Sequence, residues 1–213
     1  MVVLPIAAAI VAFWFALATW RAASDRNVAL RVWSVALAEF GAACLALAWG
    51  IAFGWTPLVY RVFYLFGAVL NVAWLALGTI WLLVPRRFAL AFNVAFAAGA
   101  GISTALVMTS GLVPGALPEL AAAQLPHPRA VMGDVPRTIS RIFSIGGSTV
   151  VLIGMLSGVL RRRYAGGLAL LALGVVIAGV ASEFARAGYV APFCAGLAVG
   201  IVVMYAGFVR TRA

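Results

Sequence analysis

Seven times along this chain an apolar run of about twenty residues is broken by a proline, a glycine or a small group of arginines. A run of that length covers the ~30 Å hydrocarbon core of a bilayer as one helix, at a rise of ~1.5 Å per residue. Lipid offers no partner to backbone N–H and C=O groups, so each run has to bond its own backbone, as a helix does. The chain therefore reads as all-α, a polytopic integral membrane protein forming a single seven-transmembrane-helix bundle. One transmembrane domain spans 1–213, with helices expected at about 2–19, 32–55, 59–84, 88–112, 139–160, 167–187 and 190–209, and an outer loop at 113–138.

Composition closes off the alternatives. Two thirds of the residues are apolar and only 9% are charged, which leaves too little polar surface for a water-soluble fold of this length. The net charge of +10 comes from arginines placed in small groups between apolar runs, with no basic face or tail, so the pattern excludes nucleic acid as a partner and implies a lipid bilayer. All fifteen cations are arginine. Without a lysine no retinal Schiff base can form, and a retinal-linked photoreceptor is excluded.

Orientation follows from the same arginines. Alternate connections hold Arg21, Arg26 and Arg31, then Arg86 and Arg87, then Arg161 to Arg163, then Arg210 and Arg212, ten in all, against five on the other side. The positive-inside rule places the N-terminus outside and the C-terminus in the cytoplasm, a multi-pass arrangement in the cell membrane. Trp20, Trp33 and Tyr164 then fall at inner boundaries and Trp55, Tyr60 and Tyr189 at outer ones, as aromatic belts require. The first run has no basic segment ahead of it and no small-residue cleavage signal, and it reads as a retained helix.

The third run, YRVFYLFGAVLNVAWLALGTIWLLVPRR from Tyr60 to Arg87, places Arg61, Tyr64, Ala68, Asn71, Leu75 and Gly78 on one helical face. Eighty positions later, SRIFSIGGSTVVLIGMLSGVLRRR repeats the offsets with Arg141, Ser144, Ser148, Val151, Met155 and Gly158. Duplication would relate the two as parallel repeats, with Arg61 and Arg141 at one depth on the outer side. Gly50 with Gly54, and Gly196 with Gly200, form small-xxx-small pairs expected on packed faces. The loop holds five of the nine prolines, and within it PELAAAQL has the composition of a short interfacial helix.

Few side chains can carry chemistry. Glu39 lies within the second run on the face of Ala43, Ala46 and Gly50, so it is expected to point into the bundle, where an intramembrane carboxyl is a proton or cation site by default. The simpler reading is a carboxyl fastening helices through Asn71 or Asn93. Glu183 stands three residues before Arg186, the spacing of an interfacial ion pair. Arg61, Arg141 and Arg186 collect at the outer boundary, where they suit either lipid phosphates or an anion-recognising vestibule.

Cys44, Cys194 and His127 are too scattered for a metal set, and no cofactor motif is present. Nor does any nucleophile stand beside a base, so an enzyme is the least supported class. Two readings stay open: a small transport-type or ligand-binding bundle with a polar site around Glu39 and an outer arginine cluster for an anionic small molecule or lipid headgroup, and a non-catalytic receptor or assembly subunit whose polar residues only fasten helices.

Overall fold

The computed structural model describes residues 2–24, 27–113, 115–117, 125–160 and 165–212, and it is all-helical apart from one isolated bridge between Leu112 and Met132. Seven helices are long and apolar enough to cross a membrane. They are α1 (Val3–Ala22), α2 (Val28–Phe53), α3 (Pro57–Leu83), α4 (Arg86–Thr109), α5 (Asp134–Leu160), α6 (Ala165–Arg186) and α7 (Val190–Arg212). Such apolar surfaces belong in a lipid bilayer. Residues 118–124 of PELAAAQL, together with Arg26, Arg161 to Arg163 and Tyr164, lie outside the described residues.

Six of the helices close a ring in the order α1, α2, α3, α5, α6, α7 and back to α1, while α4 lies outside it against α3 and α5. One apolar core fills the ring, with Leu47, Tyr60, Val69, Cys194 and Ile201 among its most enclosed members. The outlying α4 buries only Ala89, Ser103 and Val107 among its described positions, so most of its surface is left for lipid.

Proline and glycine set the boundaries. Pro57 starts α3 behind Thr56, whose hydroxyl accepts the Val59 N–H at 3.3 Å, and its missing N–H costs nothing in a first turn. The fifth helix begins at Asp134, five residues ahead of the expected Ile139. Pro136 falls in its first turn and Asp134 faces the positive end of the helix dipole, so both residues favour a helix where proline content alone suggests a loop.

Gly54 does not extend α2 as the second half of a packing pair. It ends the helix at φ 92°, in the left-handed region open to glycine, and its N–H closes on the Gly50 carbonyl at 3.1 Å. A methyl at Gly50 would fall 2.6 Å from the Trp55 indole, which folds back onto it. The pair makes room within its own helix end.

Gly196 and Gly200 do lie on a helix seam. A Cβ at Gly200 would sit 3.0 Å from the Gly174 carbonyl oxygen, one at Gly174 would sit 2.7 Å from the Gly200 carbonyl, and Gly196 abuts Ala181. Backbone meets backbone here, as small residues allow between helices in lipid. The aromatic belt is only partly present: Trp20 and Tyr189 are exposed, whereas Trp33 bonds inward to the Leu75 carbonyl and Trp55 and Tyr60 are buried in the core, with Tyr60 stacked on Tyr64 at 5.9 Å between ring centroids.

Candidate functional site

The third helix is not α-helical throughout. Between Leu65 and Leu70 its ladder widens to a π-turn, which inserts one extra residue and turns the following residues relative to a continuous α-helix. Gly67 within the turn packs on Ala43 of α2. On the opposite side the Ala68 carbonyl accepts two hydroxyls from α5, Ser144 at 2.7 Å and Ser140 at 3.1 Å. A helix so distorted is held from two neighbours at once.

Immediately after the π-turn comes Asn71, and its level on α2 can be read from contacts above and below. Trp33 of α2 donates its indole N–H to the Leu75 carbonyl at 3.0 Å and lies against Gly78, while Ala43 meets Gly67. The helices run antiparallel, so Glu39 falls opposite Asn71 between these two anchors. Trp74, one turn along, brings its indole near the Glu39 carboxyl. The approach stops short of hydrogen-bond geometry: Trp74 Nε1, Glu39 Oε2 and Asn71 Oδ1 are all buried without a hydrogen-bond partner.

An indole N–H, an amide oxygen and a carboxyl oxygen, all buried, thus lie within about one helical turn of one level on α2 and α3. Each buried and unsatisfied atom costs about 1–3 kcal/mol, more where the group is charged. The far side of Trp74 packs edge-on against Phe96 of α4 at 4.6 Å, and Phe96 in turn faces Phe143 of α5 at 6.5 Å. The indole therefore joins the polar level to the outlying helix.

The remaining sequence-derived candidates fall elsewhere. Asn93 lies on α4, half-buried and without a hydrogen-bond partner among the described residues, and neither asparagine ties helices together as amides in lipid commonly do. That work is done by Trp33, Ser140 and Ser144, and by Arg61, whose guanidinium donates to the Ser110 carbonyl at 2.8 Å where α4 ends. Glu183 and Arg186 form the ion pair their spacing suggests, at 2.5 Å and largely exposed. Arg137 pairs with Asp134 in the first turn of α5.

Arg141 is exposed, because the face of α5 turned to α3 runs Ser140, Ser144, Gly147, Val151 and Gly154, one position away from the face through Arg141 and Ser148. Gly147 meets Val72 and Gly154 meets Thr79, both pairs 75 apart in number, whereas the proposed repeat is 80 apart. Arg141 consequently lies about five residues, or ~7 Å, further along the bundle than Arg61. The two arginines are not level. Arg141 instead shares the surroundings of Tyr64 with Arg137 and Arg186.

Cys44 and Cys194 are free and buried. Among the described residues no three His, Cys, Asp or Glu side chains gather around a common point. Comparison with protein-family models, with curated proteins and with solved structures finds no match to the chain.

Proposed function

We propose that this chain is a transport-type or ligand-binding membrane protein whose internal polar site is built by Glu39, Asn71 and Trp74, with the arginines around Tyr64 drawing an anionic group to the end that carries the 113–138 segment. One observation carries the reading: Glu39 Oε2, Asn71 Oδ1 and Trp74 Nε1 are buried at one level with no bond to one another or to any described residue. Polar groups kept only to fasten helices would be mutually satisfied, since an orphan in lipid costs more than the fastening returns. A proton, water or ligand between α2 and α3 would use all three. The π-turn beside Asn71 supports the same reading, because such turns reposition side chains at working sites.

In the cell membrane the proposed orientation puts the 113–138 segment outside, following the arginine bias. The test is infrared difference spectroscopy of reconstituted protein between acid and alkaline pH, paired with proton flux across the same vesicles. The expected result is a carboxyl band that titrates and disappears in Glu39→Gln, together with flux that the substitution abolishes while the helical spectrum is unchanged. A carboxyl band indifferent to pH, with equal flux in both proteins, would leave Glu39 a fastening residue.

A further inference from the structure

A cavity of about 540 Å³ opens at the opposite, arginine-rich end of the bundle. Asn27 and Val28 at the start of α2, Trp81 and Leu82 near the end of α3, and Arg86 at the start of α4 line it. Trp81 Nε1 and Asn27 Oδ1 are buried there without hydrogen-bond partners, and Arg86 has no ion pair among the described residues. Among the described residues neither helix start has an acidic residue in its first turn or a side-chain cap, so the positive ends of two dipoles lie beside one arginine. The cavity offers a cation and a buried N–H donor to an anion, and one buried acceptor to a hydroxyl.

We propose that this cavity binds the phosphodiester headgroup of an anionic phospholipid carrying a hydroxyl, the chemistry of phosphatidylglycerol. Arg86 and the Trp81 N–H donate to the phosphate oxygens, and a headgroup hydroxyl donates to Asn27 Oδ1. A soluble phosphate ester shares this chemistry. The lipid is favoured because the rim continues into exposed apolar surface at Leu82, Leu83 and Phe88, along which acyl chains can lie. An anionic leaflet also concentrates such headgroups at an arginine-rich face.

The experiment compares delipidated protein returned to nanodiscs of phosphatidylcholine alone, of phosphatidylcholine with phosphatidylglycerol, and of phosphatidylcholine with glycerol 3-phosphate in solution. Unfolding midpoint and native mass spectrometry of retained lipid are the readouts. Phosphatidylglycerol is expected to raise the midpoint and be retained, with affinity about tenfold weaker in Arg86→Gln and in Trp81→Phe, the loss of roughly one charge-assisted or buried hydrogen bond. Arg210→Gln, which removes an exposed charge at the same end, is expected to bind as the unsubstituted protein does. Equal stabilisation by glycerol 3-phosphate without anionic lipid would overturn the lipid source. Undiminished binding in both cavity variants, or an equal loss in Arg210→Gln, would overturn the site.

Discussion

Ser144 of α5 donates a 2.7 Å hydrogen bond to the carbonyl of Ala68, a residue within the π-turn of α3. Ser140 reaches the same oxygen at 3.1 Å. One carbonyl thus carries the principal polar tie between two helices, and it is presented where the α-ladder of α3 is broken.

Because the two serines share an acceptor, they should not behave additively. Either alone satisfies the oxygen, so Ser140→Ala and Ser144→Ala should each cost about 0.5–1 kcal/mol, in keeping with interhelical bonds in lipid, and the double variant should cost more than their sum. Reversible unfolding of the three variants in mixed detergent measures the coupling. A strictly additive double variant would mean that the π-turn does not depend on this tie.

The glycine seam between α6 and α7 gives a prediction with its own control. Gly174→Ala would place a methyl against backbone oxygen and should destabilise by about 1–3 kcal/mol, the range for overpacking. Gly179→Ala, on the same helix with nothing within 4 Å of the added carbon, should be neutral or slightly stabilising, since alanine is the better helix former. Thermal unfolding of the two variants in one detergent separates the effects, and similar losses in both would remove the seam from the account.

How much of this was legible in the sequence depends on what lipid does to each signal. The seven spans were readable because length and apolarity are all that a bilayer asks of a helix, and Gly196 with Gly200 because close packing in lipid needs small residues. The π-turn was not, since LFGAVL has no residue that demands it and the distortion is held from outside by Ala43 and two serines. Its extra residue also displaces any face counted at steps of three and four. Glu39 and Asn71 could be singled out by rarity, whereas Trp74 could not, because a tryptophan in an apolar run carries the same signal whether its N–H meets lipid, backbone or a carboxyl. The repeat misled at Arg141: matching letters 80 apart coexist with a packing offset of 75.

Topology can be tested on described positions. Cysteines at Ser24 and Gly166 should be shielded from impermeant thiol reagents in intact cells, and one at Gly133 should label, as the arginine bias requires. Gln124, another natural choice, lies outside the described residues. Cys44 and Cys194 are buried and should contribute little background. The reverse pattern would invert the bundle, and labelling at all three positions would break the span count.

Arg61 and Arg141 should differ when each is changed to glutamine. Arg61→Gln removes a charge-assisted bond to the last turn of α4, where a cation also faces the negative end of the helix dipole, and should cost about 1–2 kcal/mol and loosen α4 from α3. Arg141→Gln, at an exposed position, should leave stability unchanged and act only on binding of an anionic group. Hydrogen exchange along α4 reads the first effect, and equal protection in both variants would contradict it.

The last prediction concerns Tyr60, whose side chain is fully enclosed while its hydroxyl has no hydrogen-bond partner. The ring is held by Tyr64 at 5.9 Å and by Trp55 at 6.3 Å, and phenylalanine would keep both contacts. Removing an orphan hydroxyl removes its desolvation cost, so Tyr60→Phe should stabilise the protein by about 1 kcal/mol or more. The neighbouring Tyr64→Phe provides the contrast, because the Tyr64 hydroxyl is not among the buried groups left without a partner and its removal should bring no such gain. A gain confined to Tyr60→Phe isolates the hydroxyl from the ring. A loss of stability in Tyr60→Phe would mean that the buried oxygen bonds a water or a bound molecule beneath the arginines of that end, and the polar region would then extend from Glu39 toward Tyr60 along α3.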